Sequence, residues 1–260
     1  MLSPALIKTD NGQVEVYADG VGPLIVLLPS LGRGAADFFE LGPQLIGLGY
    51  RVAAPEPRGI GQSIGPSEGI SFHDFAADVA AVIRAEGGRA VIAGHAFGQK
   101  VGRTVAMDYP DLVRCVIMLA GAGRAIIPPE VRAAIMKSGD LGATDAERVD
   151  ALKLAFFAPG NDPVAAGWLK GWYPEVKKIQ LAAESRTKDD EFIPAGRAPI
   201  LDVQAEFDTV VPPSARQDLK NELGERVTIH VVKNAGHALI PEQREAVAAA
   251  MDAYIKKLPA

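Results

Sequence analysis

The stretch Val91-Ile92-Ala93-Gly94-His95-Ala96-Phe97-Gly98-Gln99 decides how this chain is read. Its first three residues have the small and β-branched character of a buried strand, and Phe97 opens a helical pattern that ends before Pro110. Gly94 and Gly98 bracket a three-residue span between the two. Small residues at those places let a strand turn sharply into a helix and lift one side chain above the sheet, the geometry of a nucleophile elbow. His95 and Phe97 fill the variable positions and Ala96 the lifted one. A methyl group has no proton to lose and no lone pair to attack with, so a serine-type acyl-enzyme cannot form at residue 96.

Apolar runs of strand length lie on both sides of this turn, at 24–28, 51–54, 116–119, 200–203 and 227–232. Runs that are apolar on both faces suit parallel strands covered by helices on each side. Near the N-terminus, short alternating segments at 5–8 and 14–17 flank Asp10-Asn11-Gly12 and predict a hairpin, since Asn and Gly tolerate positive φ. Helical spacing predicts helices over 71–86, from Phe97 to before Pro110, over about 214–223 and over about 241–257. Pro241 stands near the start of the last, where a missing N–H costs least. The alternation implies an α/β fold, a mainly parallel twisted sheet with helices on both faces.

Residues 124–195 interrupt the alternation. They are helical in composition and punctuated by Pro128-Pro129, Pro159-Gly160-Asn161-Asp162-Pro163 and Pro174. Both tryptophans, Trp168 and Trp172, fall here beside Tyr173, a cluster expected to pack the segment and able to line a pocket. The expected organisation is a core of residues 1–123 and 196–260 with a helical cap insertion at 124–195.

Two further residues complete a possible reaction centre. Asp208 ends a strand-like run before Val210-Val211-Pro212-Pro213, and His237 follows the last strand in Asn234-Ala235-Gly236-His237. The order elbow, acid, histidine is the one expected for this fold. His237 is the candidate general base, and Asp208 the group that fixes its tautomer and stabilises the imidazolium. No carboxylate follows the 116–119 run, where Gly121-Ala122-Gly123 stands, which favours Asp208 as the acid. Glu206 shares a strand face with Asp208 but lies further from the strand end and receives no role.

These features resemble the α/β-hydrolase superfamily over nearly the full chain. The resemblance rests on Gly94-His95-Ala96-Phe97-Gly98, Asp208 with Val211-Pro212, Gly236-His237, and Pro57-Arg58-Gly59-Ile60-Gly61-Gln62-Ser63. Leu28-Pro29-Ser30-Leu31-Gly32-Arg33-Gly34 departs from the His-Gly loop of many members and is similar to the loop of 3-oxoadipate enol-lactonase-like enzymes. The resemblance implies hydrolysis of a small carboxylic ester or lactone and an oxyanion hole formed by the backbone N–H groups of Leu31 and Phe97. It also implies a cap that shapes the pocket. With Ala96 in place, the alternatives are an engineered or native loss of the serine, a cofactor-free enzyme using His237 as base, and a non-catalytic small-molecule-binding protein.

Composition narrows the partners. Net charge is −5, with 48% hydrophobic and 23% charged residues, which argues against nucleic acid or an anionic membrane as partner. The N-terminus shows no secretory pattern and no apolar run approaches membrane-spanning length, so a cytoplasmic location is expected. No phosphate loop and no Cys/His metal spacing occurs, so neither cofactor nor metal is expected. Cys115, alone and within an apolar run, is expected to be a buried structural thiol. Arg33 is expected to be an exposed solubilising charge, His73 to face solvent, His230 to be structural, and His95 to pack beside the sheet.

Overall fold

The computed structural model describes residues 2–121, 123, 126–162 and 167–259. Among the described residues eight strands form one sheet: β1 (Ser3–Thr9), β2 (Gly12–Asp19), β3 (Leu24–Leu28), β4 (Arg51–Pro55), β5 (Ala90–His95), β6 (Val113–Leu119), β7 (Ile200–Ala205) and β8 (Val227–Val232). Their spatial order is β1-β2-β4-β3-β5-β6-β7-β8. The β1–β2 and β2–β4 pairs are antiparallel, and every later pairing is parallel.

Side-chain alternation explains the two-sided apolar runs. Along β3, Leu24, Val26 and Leu28 join a core with α2 (Phe72–Glu86) and α3 (Phe97–Asp108). Ile25 and Leu27 point the other way, into a core with α1 (Leu41–Gly47) and the C-terminal helix at Leu239–Ile255. Cys115 belongs to the second core, where burial pushes its thiol pKa up to about 12, as suits an unreactive structural residue. α2 starts as the sequence suggests, with Ser71 and Asp74 forming a reciprocal capping box.

Three details differ from the sequence reading. The hairpin connects Thr9 to Gly12, but neither Asn11 nor Gly12 adopts positive φ. Glycine is required at 12 because a Cβ there would collide with the Ile64 carbonyl. The helix expected over 214–223 is split into a 3₁₀ turn at Pro213–Ala215 and a shorter helix at Asp218–Leu223. The C-terminal helix starts two residues early, at Leu239, and is kinked at Gln243 (φ −141°, ψ 46°).

Between β6 and β7 lie α4 (Pro129–Ser138), α5 (Asp145–Ala155) and α6 (Pro174–Glu184). α4 and α5 share a separate core in which Leu152, Phe156, Phe157, Trp168 and Trp172 meet Val210 and Val211, whereas α6 places Ala183 and Ile179 against the sheet core of α2 and α3. Arg124, the expected start of the insertion, lies outside the described residues, as do Ala122 and Pro163. Among the described residues no helix is long and apolar enough to cross a membrane. The helices after Glu184 are α7 (Asp218–Leu223) and α8 (Leu239–Ile255).

Candidate active site

β3 leads toward one edge of the sheet through β4, and β5 leads toward the other, so the order in which strands are added reverses between the parallel neighbours β3 and β5. Crevices at the carboxyl ends of strands beside such a reversal are where open α/β sheets bind ligands. The β5–α3 turn stands there. Its backbone is fixed by close approach: a Cβ on Gly98 would lie 2.6 Å from the Pro29 carbonyl oxygen and closer still to that of Leu28. A Cβ on Gly94 would lie 2.5 Å from Gln99 Cα. Only hydrogen fits at either place. Between them Ala96 is held at φ 45° and ψ −104°, with its N–H donating to the Leu119 carbonyl at 2.9 Å. That left-handed region costs a non-glycine residue on the order of 1–3 kcal/mol and persists only where surrounding packing over-determines it.

Asp208 follows β7 and His237 follows β8. One Asp208 oxygen, Oδ1, accepts the backbone N–H groups of Val210 and Val211, each at 2.9 Å. His237 Nδ1 lies 3.1 Å from Oδ1 and 3.0 Å from Oδ2 of the same carboxylate. An ionised carboxylate only accepts, so Nδ1 carries the proton and Nε2 is left as the basic ring nitrogen. Both residues are buried.

Ala96, Leu31, Phe97 and His237 line one cavity of about 510 Å³, closed on its far side by Ile127, Ile135, Phe156, Trp168, Trp172 and Lys177. Asp208 sits behind His237. Among the described residues no backbone carbonyl accepts the Leu31 N–H, and Phe97 opens α3, where first-turn N–H groups have no acceptor within the helix. Both amides are therefore unspent at the cavity wall.

His95 is fully buried, with Nε2 at 2.9 Å from the His237 carbonyl. Burial and then the neighbouring His237 push its pKa down to about 3, so it stays neutral. It fixes the backbone of the histidine opposite and stays clear of the cavity wall. Arg33 corrects the sequence expectation: it is buried, with 3% exposure. Its guanidinium pairs with Asp37, donates to the Lys170 carbonyl at 2.8 Å, and stacks 4.3 Å from the Trp168 ring centroid. His230 is also corrected: it is exposed on the edge strand β8. His73 is partly exposed and bonds Asp108 at 2.7 Å. Glu206 pairs with Lys233 at 2.9 Å.

A family model of the alpha/beta hydrolase family matches residues 25–250. The chain belongs to the alpha/beta hydrolase family. Among its relatives, a 2-(acetamidomethylene)succinate hydrolase of Mesorhizobium japonicum is 35% identical over 117 residues, 43% of this chain. The matched stretch spans only 41% of that protein. The RutD protein of Variovorax paradoxus is 28% identical over 241 residues, covering 86% of this chain and 88% of RutD. A thermophilic esterase from Thermogutta terrifontis superposes with a TM-score of 0.79 at 20% identity, over 98% of each chain. That last likeness concerns the fold.

Several polar residues of the cavity escaped the sequence reading, among them Gln99, Lys100, Arg132, Lys177 and Glu184. A signal existed for Lys177. The inward stripe of α6 is Val176, Lys177, Gln180 and Ala183, and two polar residues in a buried helical stripe mark a site that packing alone does not explain.

Proposed function

We propose that this chain is a hydrolase of a small carboxylic ester or lactone by architecture, with Asp208 and His237 as its acid–base pair. Residue 96 stands at the nucleophile position, and the helical segment between β6 and β7 serves as a cap over the substrate. The observation that supports this most directly is the Asp208–His237 pair, at 3.0 and 3.1 Å, on the same cavity as the strained residue 96. That strain serves no purpose for a methyl group, but it is what presents a hydroxyl for attack.

With Ala96, the acyl-enzyme route is closed and a water takes its place. Nε2 of His237 accepts a proton from the water as its oxygen bonds to the carbonyl carbon. The N–H groups of Leu31 and Phe97 donate to the oxyanion that forms. The bond to the leaving oxygen then breaks, and the imidazolium returns the proton to that oxygen. An oxyanion hole and binding alone leave roughly 10³–10⁴-fold catalysis over water when a triad member is missing. Serine at this position would divide the same reaction into two easier steps. The chemistry needs no cofactor, and the substrate is a small molecule.

The test is Ala96→Ser assayed on p-nitrophenyl acetate. Its hydrolysis rises by about two orders of magnitude or more, since a positioned nucleophile contributes at least that much. A folded variant that gains nothing overturns the serine-chemistry reading. Activity already present in the unmodified chain and lost in His237→Ala identifies the water route. A ligand that raises the melting temperature with no turnover in either form identifies a binding protein instead.

A further inference from the structure

Lys177 is buried against the cavity, with 7% exposure, and its ammonium lies within ion-pair distance of no carboxylate among the described residues. Among the described residues its one hydrogen-bond partner is the Ile135 carbonyl at 3.4 Å, near the limit for such a bond. An ammonium taken out of water without a counter-charge is costly, and folds retain such a group only where something offsets it. The nearby charges are already committed. Glu184, two turns further along α6 and also on the cavity wall, pairs with Lys100. Asp37 pairs with Arg33. Arg132, exposed at the cavity rim, adds a second positive charge, although the chain as a whole carries −5.

Gln99 is the second observation. It is 1% exposed, lines the same cavity, and both its amide nitrogen and its amide oxygen are buried without a partner among the described residues. An unmade hydrogen bond at a buried polar atom costs about 1–3 kcal/mol. A water could satisfy Gln99, but no water neutralises Lys177.

We propose that Lys177 is the anion-recognition group of this cavity and that the ligand carries a carboxylate apart from its reacting carbonyl. Gln99 holds a second polar group of the same ligand. A single ammonium suits a singly charged carboxylate better than a phosphate, which is usually held by several donors or an arginine fork. Burial lowers the Lys177 pKa, and a bound carboxylate offsets that effect by favouring the charged form. The excess positive charge at the mouth also draws anions in. This deepens the proposed function, because it places the substrate's reacting carbonyl and its charged end in one cavity.

The probes are 4-oxopentanoate, 5-oxohexanoate and 6-oxoheptanoate, each against its neutral carboxamide. They carry a ketone for the Leu31 and Phe97 amides, and nothing in them can be hydrolysed by an esterase. Calorimetric titration of the unmodified chain gives, for at least one length, binding about tenfold or more tighter for the acid than for its amide. That preference collapses in Lys177→Met and survives in Lys177→Arg. Should Lys177→Met fail to fold, Lys177→Gln is titrated in its place. Acids that bind no better than their amides overturn the proposal, as does a preference that persists without the lysine. Ala96→Ser on p-nitrophenyl acetate, a neutral ester, tests the nucleophile position alone, so failure of one reading is visible apart from failure of the other.

Discussion

The two walls of the cavity are built differently. On the sheet side, backbone contacts fix each residue: Ala96 through its N–H to Leu119, Asp208 through the amides of Val210 and Val211, and His237 through its carbonyl to His95. On the helical side, side chains fix one another. Arg33 lies against Trp168 and Trp172, Trp172 donates to the Trp168 carbonyl at 2.8 Å, and Phe156 packs on both rings. A wall held by backbone tolerates little change and keeps reacting atoms in place. A wall held by side chains can be re-lined, and that is where selectivity for a ligand can reside.

That contrast can be broken first on the rigid wall. Gly98→Ala puts a methyl group against two backbone carbonyls that cannot rotate away, so it destabilises the chain by about 3 kcal/mol or more in urea unfolding. A loss under 1 kcal/mol would mean the turn is softer than its geometry implies. On the helical wall, Arg33→Ala leaves the buried Asp37 carboxylate unpaired and removes the cation from two indole faces. About 3 kcal/mol is lost, and the tryptophan fluorescence changes as Trp168 and Trp172 repack. Unchanged emission would count against the stacking.

His95 sharpens the comparison through pH. Its folded pKa is pushed down to about 3 from the ordinary 6.5, so between those values the unfolded chain binds the extra proton. Its contribution to stability is full above pH 6.5 and falls as the pH drops toward 3, by about 2 kcal/mol at pH 5. His95→Gln therefore loses less stability than the unmodified chain between pH 7.5 and pH 5. Equal losses in urea unfolding would show that His95 is solvated or protonated in the fold.

The same division separates what was legible in the sequence from what was not. The strands and the turn around Ala96 could be read because local patterns dictate them: apolar runs for two-faced burial, glycines where backbone crosses backbone. Asp208 and His237 could be placed because each follows a strand, and all parallel strands end on one side of the sheet. Arg33 was misread because its partners Trp168 and Trp172 lie more than a hundred residues away, and nothing in Gly32-Arg33-Gly34 announces them. Gln99 was missed for the same reason, since its isolation appears only when the cavity forms, whereas Lys177 left a trace in the polar positions of the buried stripe of α6. The short α7 is a local failure: Pro212-Pro213 opens a separate 3₁₀ turn that periodicity cannot distinguish from a helix start.

The central claim is that position 96 is a nucleophile site served by His237 and Asp208. Ala96→Ser treated with a fluorophosphonate and analysed by intact mass and peptide mapping tests it most directly. The account predicts one adduct per chain, at position 96, formed far more slowly when His237→Ala is added. A folded Ala96→Ser protein that stays unlabelled, or labels at the same rate without the histidine, would contradict it.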